Sequence, residues 1–170
     1  MRKLKVGIAG FGIVGKRRKK CVEHNTNLEL VAVCDRSFVG DEPFSKGIRS
    51  YSKYQDLLKE KLDILIVCLT NDIAPEVTIA GLNLGLHVFC EKPLTNSIIK
   101  DKELFRLASK NKCKLYVSDV ENFKNIKIKL KNKNVVLRSK FSNDKKNIIE
   151  RLAYHDFTYL YKFLRKKKIS

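Results

Sequence analysis

Gly10, Gly12 and Gly15 stand in the spacing G-x-G-x-x-G, and Asp35 follows 20 residues after the last of them. Leu4, Val6, Ile8 and Ala9 read as a buried strand leading into the glycines, and a helix-compatible stretch leaves them. Residues 28–34 read as a second apolar strand that ends at Asp35. Each residue type has a job in holding a dinucleotide. The first glycine makes a tight turn, the second lets backbone approach a pyrophosphate, and the third lets the helix pack on the strand. The helix N-terminus presents free N–H groups and partial positive charge to the phosphates. A carboxylate at Asp35 accepts hydrogen bonds from ribose hydroxyls. The reading is a nucleotide-binding Rossmann half; a glycine-rich turn in another α/β protein is the competing one.

The residues after the glycines are unusual. Lys16, Arg17, Arg18, Lys19 and Lys20 place cations at the start of a helix, where they oppose its dipole. Arg17 and Arg18 could attract cofactor or substrate phosphates, or could simply reach to solvent along their aliphatic stems. Asp35 favours NAD over NADP because a carboxylate repels a 2′-phosphate, while Arg36 beside it softens that preference.

These groups need a scaffold. After residues 37–47, a polar connection, a helix is predicted over 52–61 and a buried strand over 62–69. Thr70, Asn71 and Asp72 end that strand and can cap a helix over 73–84, with Pro75 tolerated in the first turn and Gly85 stopping it. A strand over 86–90 follows. Thr95 or Asn96 then caps a helix running to Lys110, and residues 114–118 form another strand. Strands alternating with helices at this spacing imply an α/β fold with a doubly wound parallel sheet. The pattern changes near Asp119. Ile126, Ile128 and Leu130 alternate with lysines, a turn follows at 132–134, and 135–141 can return as a hairpin strand. Residues 147–165 have the pattern of an amphipathic helix. The expected division is a nucleotide-binding domain over 1–119 and a short C-terminal segment over 120–170.

Glu91, Lys92, Pro93 and Leu94 at the end of the 86–90 strand carry a family resemblance. With the glycine loop, residues 31–35 and residues 68–72, they make the chain from Val6 to about Ser118 similar to the glucose–fructose oxidoreductase, inositol dehydrogenase and MocA-type family. The resemblance implies NAD(P)-dependent hydride transfer to or from a carbohydrate-like alcohol or ketone. It implies that Lys92 stabilises the reacting oxygen, as a cation beside a developing alkoxide does. The segment 154–157 resembles the family's histidine segment and makes His155 the general acid/base. The pattern departs from the family at Arg151, Thr158 and Ala74, and in the short stretch after the Rossmann part. The cofactor contacts implied are Gly10, Phe11, Gly12, Ile13, Val14, Gly15, Asp35, Arg36, Leu69, Thr70, Asn71, Glu91, Lys92 and Pro93. The Lys92–Pro93 bond is a candidate cis peptide.

Composition bounds the rest. The chain has 170 residues, enough for a real core, and no run of 18 apolar residues that would suggest a membrane span. Five scattered cysteines without a C-x-x-C suggest reduced thiols in a cytoplasmic protein and no metal site. The formal net charge is +18, and residues 122–170 hold 15 Lys/Arg against 3 Asp/Glu. Abundant Asn and Ile accompany the lysines, so drift in composition and solvated faces explain the charge better than nucleic acid does. Three function classes follow: a small sugar-type dehydrogenase acting as a homo-oligomer or with a partner subunit, a non-catalytic nucleotide-binding module, and a polyanion-binding protein.

Overall fold

The computed structural model describes residues 2–39, 43–45, 47–119 and 158. The chain divides into two compact units, Met1–Ser118 and Asp119–Ser170. In the second unit Thr158 is helical and half-buried, and its hydroxyl donates to Asp119 Oδ2 at 3.2 Å. The hairpin predicted over 126–141, most of the helix over 147–165, and His155 lie outside the described residues.

The first unit is a Rossmann-type α/β fold. Its strands are β1 (Leu4–Ala9), β2 (Leu28–Cys34), β3 (Pro43–Ser45), β4 (Ile48–Tyr51), β5 (Ile64–Val67), β6 (His87–Glu91) and β7 (Leu115–Ser118). They form one sheet in the order β3-β4-β2-β1-β5-β6-β7. Every neighbouring pair is parallel except β3 with β4. The helices are α1 (Ile13–Glu23), α2 (Tyr54–Leu57), α3 (Ala74–Asn83) and α4 (Ile98–Lys110).

Strand alternation sends side chains to two cores. Val6, Ile8, Leu30, Val33 and Ile66 pack with Val22 of α1. Ala9, Ala32, Leu65, Val67, Val88 and Cys90 pack with Leu57 of α2, Val77 and Leu82 of α3, and Leu104 and Ala108 of α4. Helices therefore cover both faces, which is why the central strands are apolar throughout rather than alternating. Ile8, Leu65 and Leu82 are completely buried, and each such side chain contributes roughly 2 kcal/mol.

Several predicted boundaries move, with reasons. The connection over 37–47 contains β3, and β4 follows it unpredicted. The 52–61 helix shortens to four residues. Beyond it Glu60 is drawn to β4, accepting from the Tyr51 hydroxyl and from Arg49 Nη1 at 3.1 Å. The chain there makes tighter i→i+3 turns, with Lys59 N–H on Asp56 O and Glu60 N–H on Leu57 O. Ser97, not Thr95 or Asn96, caps α4, accepting from Lys100 N–H. Thr95 instead accepts from Ser97 N–H at 3.0 Å and meets Asp101 Oδ1 at 2.6 Å, which pins the approach to that cap. By contrast, no side chain caps α3: the Thr70 carbonyl accepts from Ile73 and Ala74 N–H. Pro75 sits in its first turn, and Gly85 ends it with φ +78°.

Candidate functional site

The chain builds outward from β1 through β2 to β4, then returns to place β5 on the other side of β1. That reversal opens a crevice beyond the carboxyl ends of β1, β2 and β5, the place where open α/β sheets take ligands. Gly10 follows β1, Asp35 follows β2, and Cys68, Leu69 and Thr70 follow β5.

Gly10 makes the turn out of β1 at φ +91°. A Cβ there would stand 2.4 Å from the Cys68 carbonyl oxygen, so the position excludes any side chain. A Cβ at Gly15 would stand 2.0 Å from the Gly10 carbonyl oxygen, so that glycine lets α1 close down on the turn. Gly12 differs. It is the N-cap of α1, no side chain caps the helix there, and a Cβ on it would meet nothing within 4 Å. The first turn of α1 thus opens onto empty space on the glycine side, with N–H groups and the positive end of the helix dipole available to an anion.

Asp35 is locked at the other side of the opening. Its Oδ2 accepts from Phe11 N–H at 2.7 Å, and its Oδ1 accepts from Ser37 N–H at 3.0 Å and the Ser37 hydroxyl at 2.8 Å. Burial alone would raise this carboxyl. The bonds from Ser37 and Phe11, with the charge of Arg36, outweigh it and hold the group below the usual carboxylate range. Asp72 is also held low, chiefly by the Thr70 hydroxyl, with Arg36 contributing. Arg36 therefore stands among anions rather than as an isolated cation.

The cleft over these residues has a volume of about 540 Å³. That size suits part of a dinucleotide or a drug-sized molecule. Of the sequence-predicted residues, Gly10, Gly12, Asp35, Arg36, Leu69 and Thr70 line it. Phe11 contributes its N–H, while its buried ring packs against Phe38 and Phe44 at centroid distances of 5.8 and 4.9 Å. Gly15 lies beneath the turn; Ile13 and Val14 are exposed on the first turn of α1; Asn71 is half-buried beside the cleft. Ser52, Lys53, Tyr54, Gln55, Asp72 and Ile73 also line it and were not predicted. The first four follow β4. Recognising Ile48–Tyr51 as a parallel strand would have placed them at the crevice.

Glu91, Lys92 and Pro93 form a second corner, at the end of β6. All three are half-buried, and the Lys92–Pro93 bond is cis. None of them lines the 540 Å³ cleft. Arg18 of α1 reaches this corner. Its Nε donates to Glu91 Oε1 at 2.9 Å, its Nη2 donates to the same oxygen and to Ser118 Oγ at 2.6 Å, and it lies 5.1 Å from the Phe89 ring centroid. Arg18 is thus held by Glu91 and Ser118 rather than reaching freely to solvent. Arg17 is exposed.

None of the five cysteines forms a disulfide. Burial pushes Cys68 up to about 12 and Cys90 up to about 11, which makes them poor nucleophiles and metal ligands. Among the described residues no group of His, Cys, Asp and Glu could hold a metal ion, and no helix is long and apolar enough to cross a membrane.

The Gfo/Idh/MocA family, an oxidoreductase family with an NAD-binding Rossmann fold, matches residues 4–119. The chain belongs to this family. It is 30% identical over 114 residues to an inositol 2-dehydrogenase of Salmonella paratyphi B, a match covering 64% of this chain and 34% of that protein. The structure of a Synechocystis biliverdin reductase, solved with biliverdin and NADP+, superposes at a TM-score of 0.64 with 26% identity, covering 71% of this chain and 39% of that one. The Bordetella pertussis WlbA dehydrogenase, solved with NADH and UDP-GlcNAcA, has the same fold at a TM-score of 0.62 and 24% identity, covering 73% of this chain and 39% of that one. The chain spans about a third of the length of the curated relative it matches. As a Gfo/Idh/MocA member its first unit has that family's NAD-binding Rossmann fold.

Proposed function

We propose that this protein is an NAD-dependent dehydrogenase or reductase that transfers hydride to or from a carbohydrate-like alcohol or ketone. The observation that carries the cofactor half is the cleft itself: an uncapped helix N-terminus, an open glycine, and an ionised carboxylate on the facing strand end. Gly10, Gly12 and the first turn of α1 would receive the pyrophosphate, and Asp35 would hold the adenosine ribose. The carboxylates of Asp35 and Asp72 beside Arg36 disfavour a 2′-phosphate and support NAD over NADP. When bound, the nicotinamide supplies the hydride donor or acceptor. Lys92 places an ammonium group by the reacting oxygen and stabilises its negative charge, and His155 exchanges the proton of the substrate hydroxyl.

The substrate class rests on the relatives. An inositol 2-dehydrogenase shares this Rossmann half, although a biliverdin reductase does too. Work in the cytoplasm, as a homo-oligomer or with a partner subunit, completes the reading. The test is turnover of polyols and nucleotide sugars with NAD⁺ by the full chain and by Lys92→Ala. Loss of a donor to a reacting oxygen lowers kcat about 100-fold or more. That loss, with NADH affinity within about threefold of wild type, supports the reading. NADH binding with no turnover of any such substrate would leave a nucleotide-binding module instead.

A further inference from the structure

Arg18 is the one cation of the 16–20 run that the structure ties to a distant strand, and nothing in the cofactor reading uses it. It stands three residues after Gly15, on the helix whose N-cap is Gly12. Its partner Glu91 is the last residue of β6 and immediately precedes Lys92. Its other partner, Ser118, ends β7 and is in register with Glu91 across the β6–β7 ladder. One guanidinium therefore joins α1 to the ends of two adjacent strands, at the residue before Lys92.

The surroundings make this pair strong. The side chains of Arg18 and Glu91 are only 23% and 18% exposed. Phe89 lies against the guanidinium, and the neighbouring Cys68 thiol is pushed up to about 12, first by burial and then by the Glu91 charge. In such a setting a carboxylate stripped of its partner is costly and projects its charge well beyond contact range. Arginine fits because its planar fork reaches two acceptors at fixed angles while its face lies on an aromatic ring; lysine offers only a point charge.

We propose that Arg18 is a positioning residue for Lys92: it fixes the Glu91–Lys92 corner to α1 and neutralises Glu91, so that the Lys92 ammonium is set in place and shielded from an adjacent bare carboxylate. This rests on the reading of Lys92 as the group at the reacting oxygen. It extends that reading to a residue outside the glycine loop and the Glu-Lys-Pro segment.

The experiment reads Lys92 directly and needs no substrate. The full-length chain is treated with a limiting amine-acylating reagent at fixed pH. Labelling of Lys92 is followed by peptide mass spectrometry, with exposed Lys61, ahead of β5, as the internal standard. Only the neutral amine reacts, so nearby charge sets the rate. Arg18→Met leaves an uncompensated anion and slows Lys92 labelling by about two- to fivefold. Glu91→Gln leaves an uncompensated cation and speeds it by a similar factor. The double variant returns to within about twofold of wild type. Mere loosening of the corner would move both single variants the same way, and that result, or no change in either, overturns the proposal. If Arg18→Met does not fold, Glu91→Gln and Arg18→Lys decide it. Faster labelling in the first with near-normal labelling in the second supports the proposal; slower or unchanged labelling in Glu91→Gln overturns it. Hydrogen exchange adds a second readout, with amides of 88–94 exchanging at least tenfold faster in Arg18→Met while those of β1 hold. Failure of the functional reading shows separately, as absence of NADH binding by wild type.

Discussion

Two corners at the carboxyl edge of one sheet are built from different materials. The corner after β1 and β2 is mostly backbone: a turn at Gly10, an open glycine at the head of α1, and one carboxylate held by two N–H groups and a hydroxyl. The corner after β6 and β7 is made of side-chain charge, with Arg18 bridging Glu91 and Ser118 over Phe89. Backbone groups cannot be exchanged by substitution, so the first corner depends on where side chains are missing. The second depends on where they meet. A dinucleotide needs the first kind, a rigid cradle of donors that its phosphates can approach. A reacting centre needs the second, a charged side chain whose position and neighbours are both set.

The largest effect expected from breaking this contrast is at Gly10. Gly10→Ala forces a Cβ against the Cys68 carbonyl at a positive φ and destabilises the fold by roughly 3 kcal/mol. Thermal melting measures it, and a melting point unchanged from wild type would show the turn is not required. Next is Asp35→Asn, which keeps size but removes charge. NADH affinity falls about tenfold, the worth of a charge-assisted hydrogen bond, while NADPH affinity falls less. Fluorescence titration of both cofactors reads this.

A smaller effect comes from the opposite end of the sheet, remote from both corners. Arg2 Nη1 and Nη2 each donate to Asp63 at 2.7 Å, and Lys5 N–H adds a third bond, lowering the Asp63 carboxyl to about 2. Its folded value lies below its unfolded value. The stability it contributes is therefore present above about pH 4 and is lost as pH falls toward 2. Arg2→Met flattens that acid limb only modestly, since Arg2 is mostly exposed, and leaves NADH binding at neutral pH unchanged. Acid titration of far-UV circular dichroism measures the limb. The smallest effect is Ser118→Ala. It removes one of Arg18's bonds and costs about 0.5 kcal/mol in chemical denaturation, because Glu91 keeps its charge partner.

The contrast also explains what the sequence could say. The glycine loop and Asp35 were legible because their spacing is local: strand, turn, helix and strand follow one another within 35 residues. The long apolar runs of β1, β2, β5 and β6 were legible because burial on both faces leaves no polar alternation to confuse them. β4 was missed because it is four residues long, with Arg49 and Ser50 interrupting its apolar pattern. The helix after it was overextended because Leu57, Leu58 and Leu62 keep helical spacing while Glu60 answers to Tyr51 and Arg49 instead. Arg18 could not be read at all from spacing, since its partners lie 73 and 100 residues away. Only the parallel stacking of β6 and β7 brings them to α1.

The central claim is that the glycine turn, the head of α1 and Asp35 together make an NAD site. Titrating the full-length chain with NADH and, separately, NADPH, following cofactor fluorescence, tests it most directly. Saturable NADH binding at least tenfold tighter than NADPH binding is the expected result; tighter NADPH, or binding of neither, would overturn the claim.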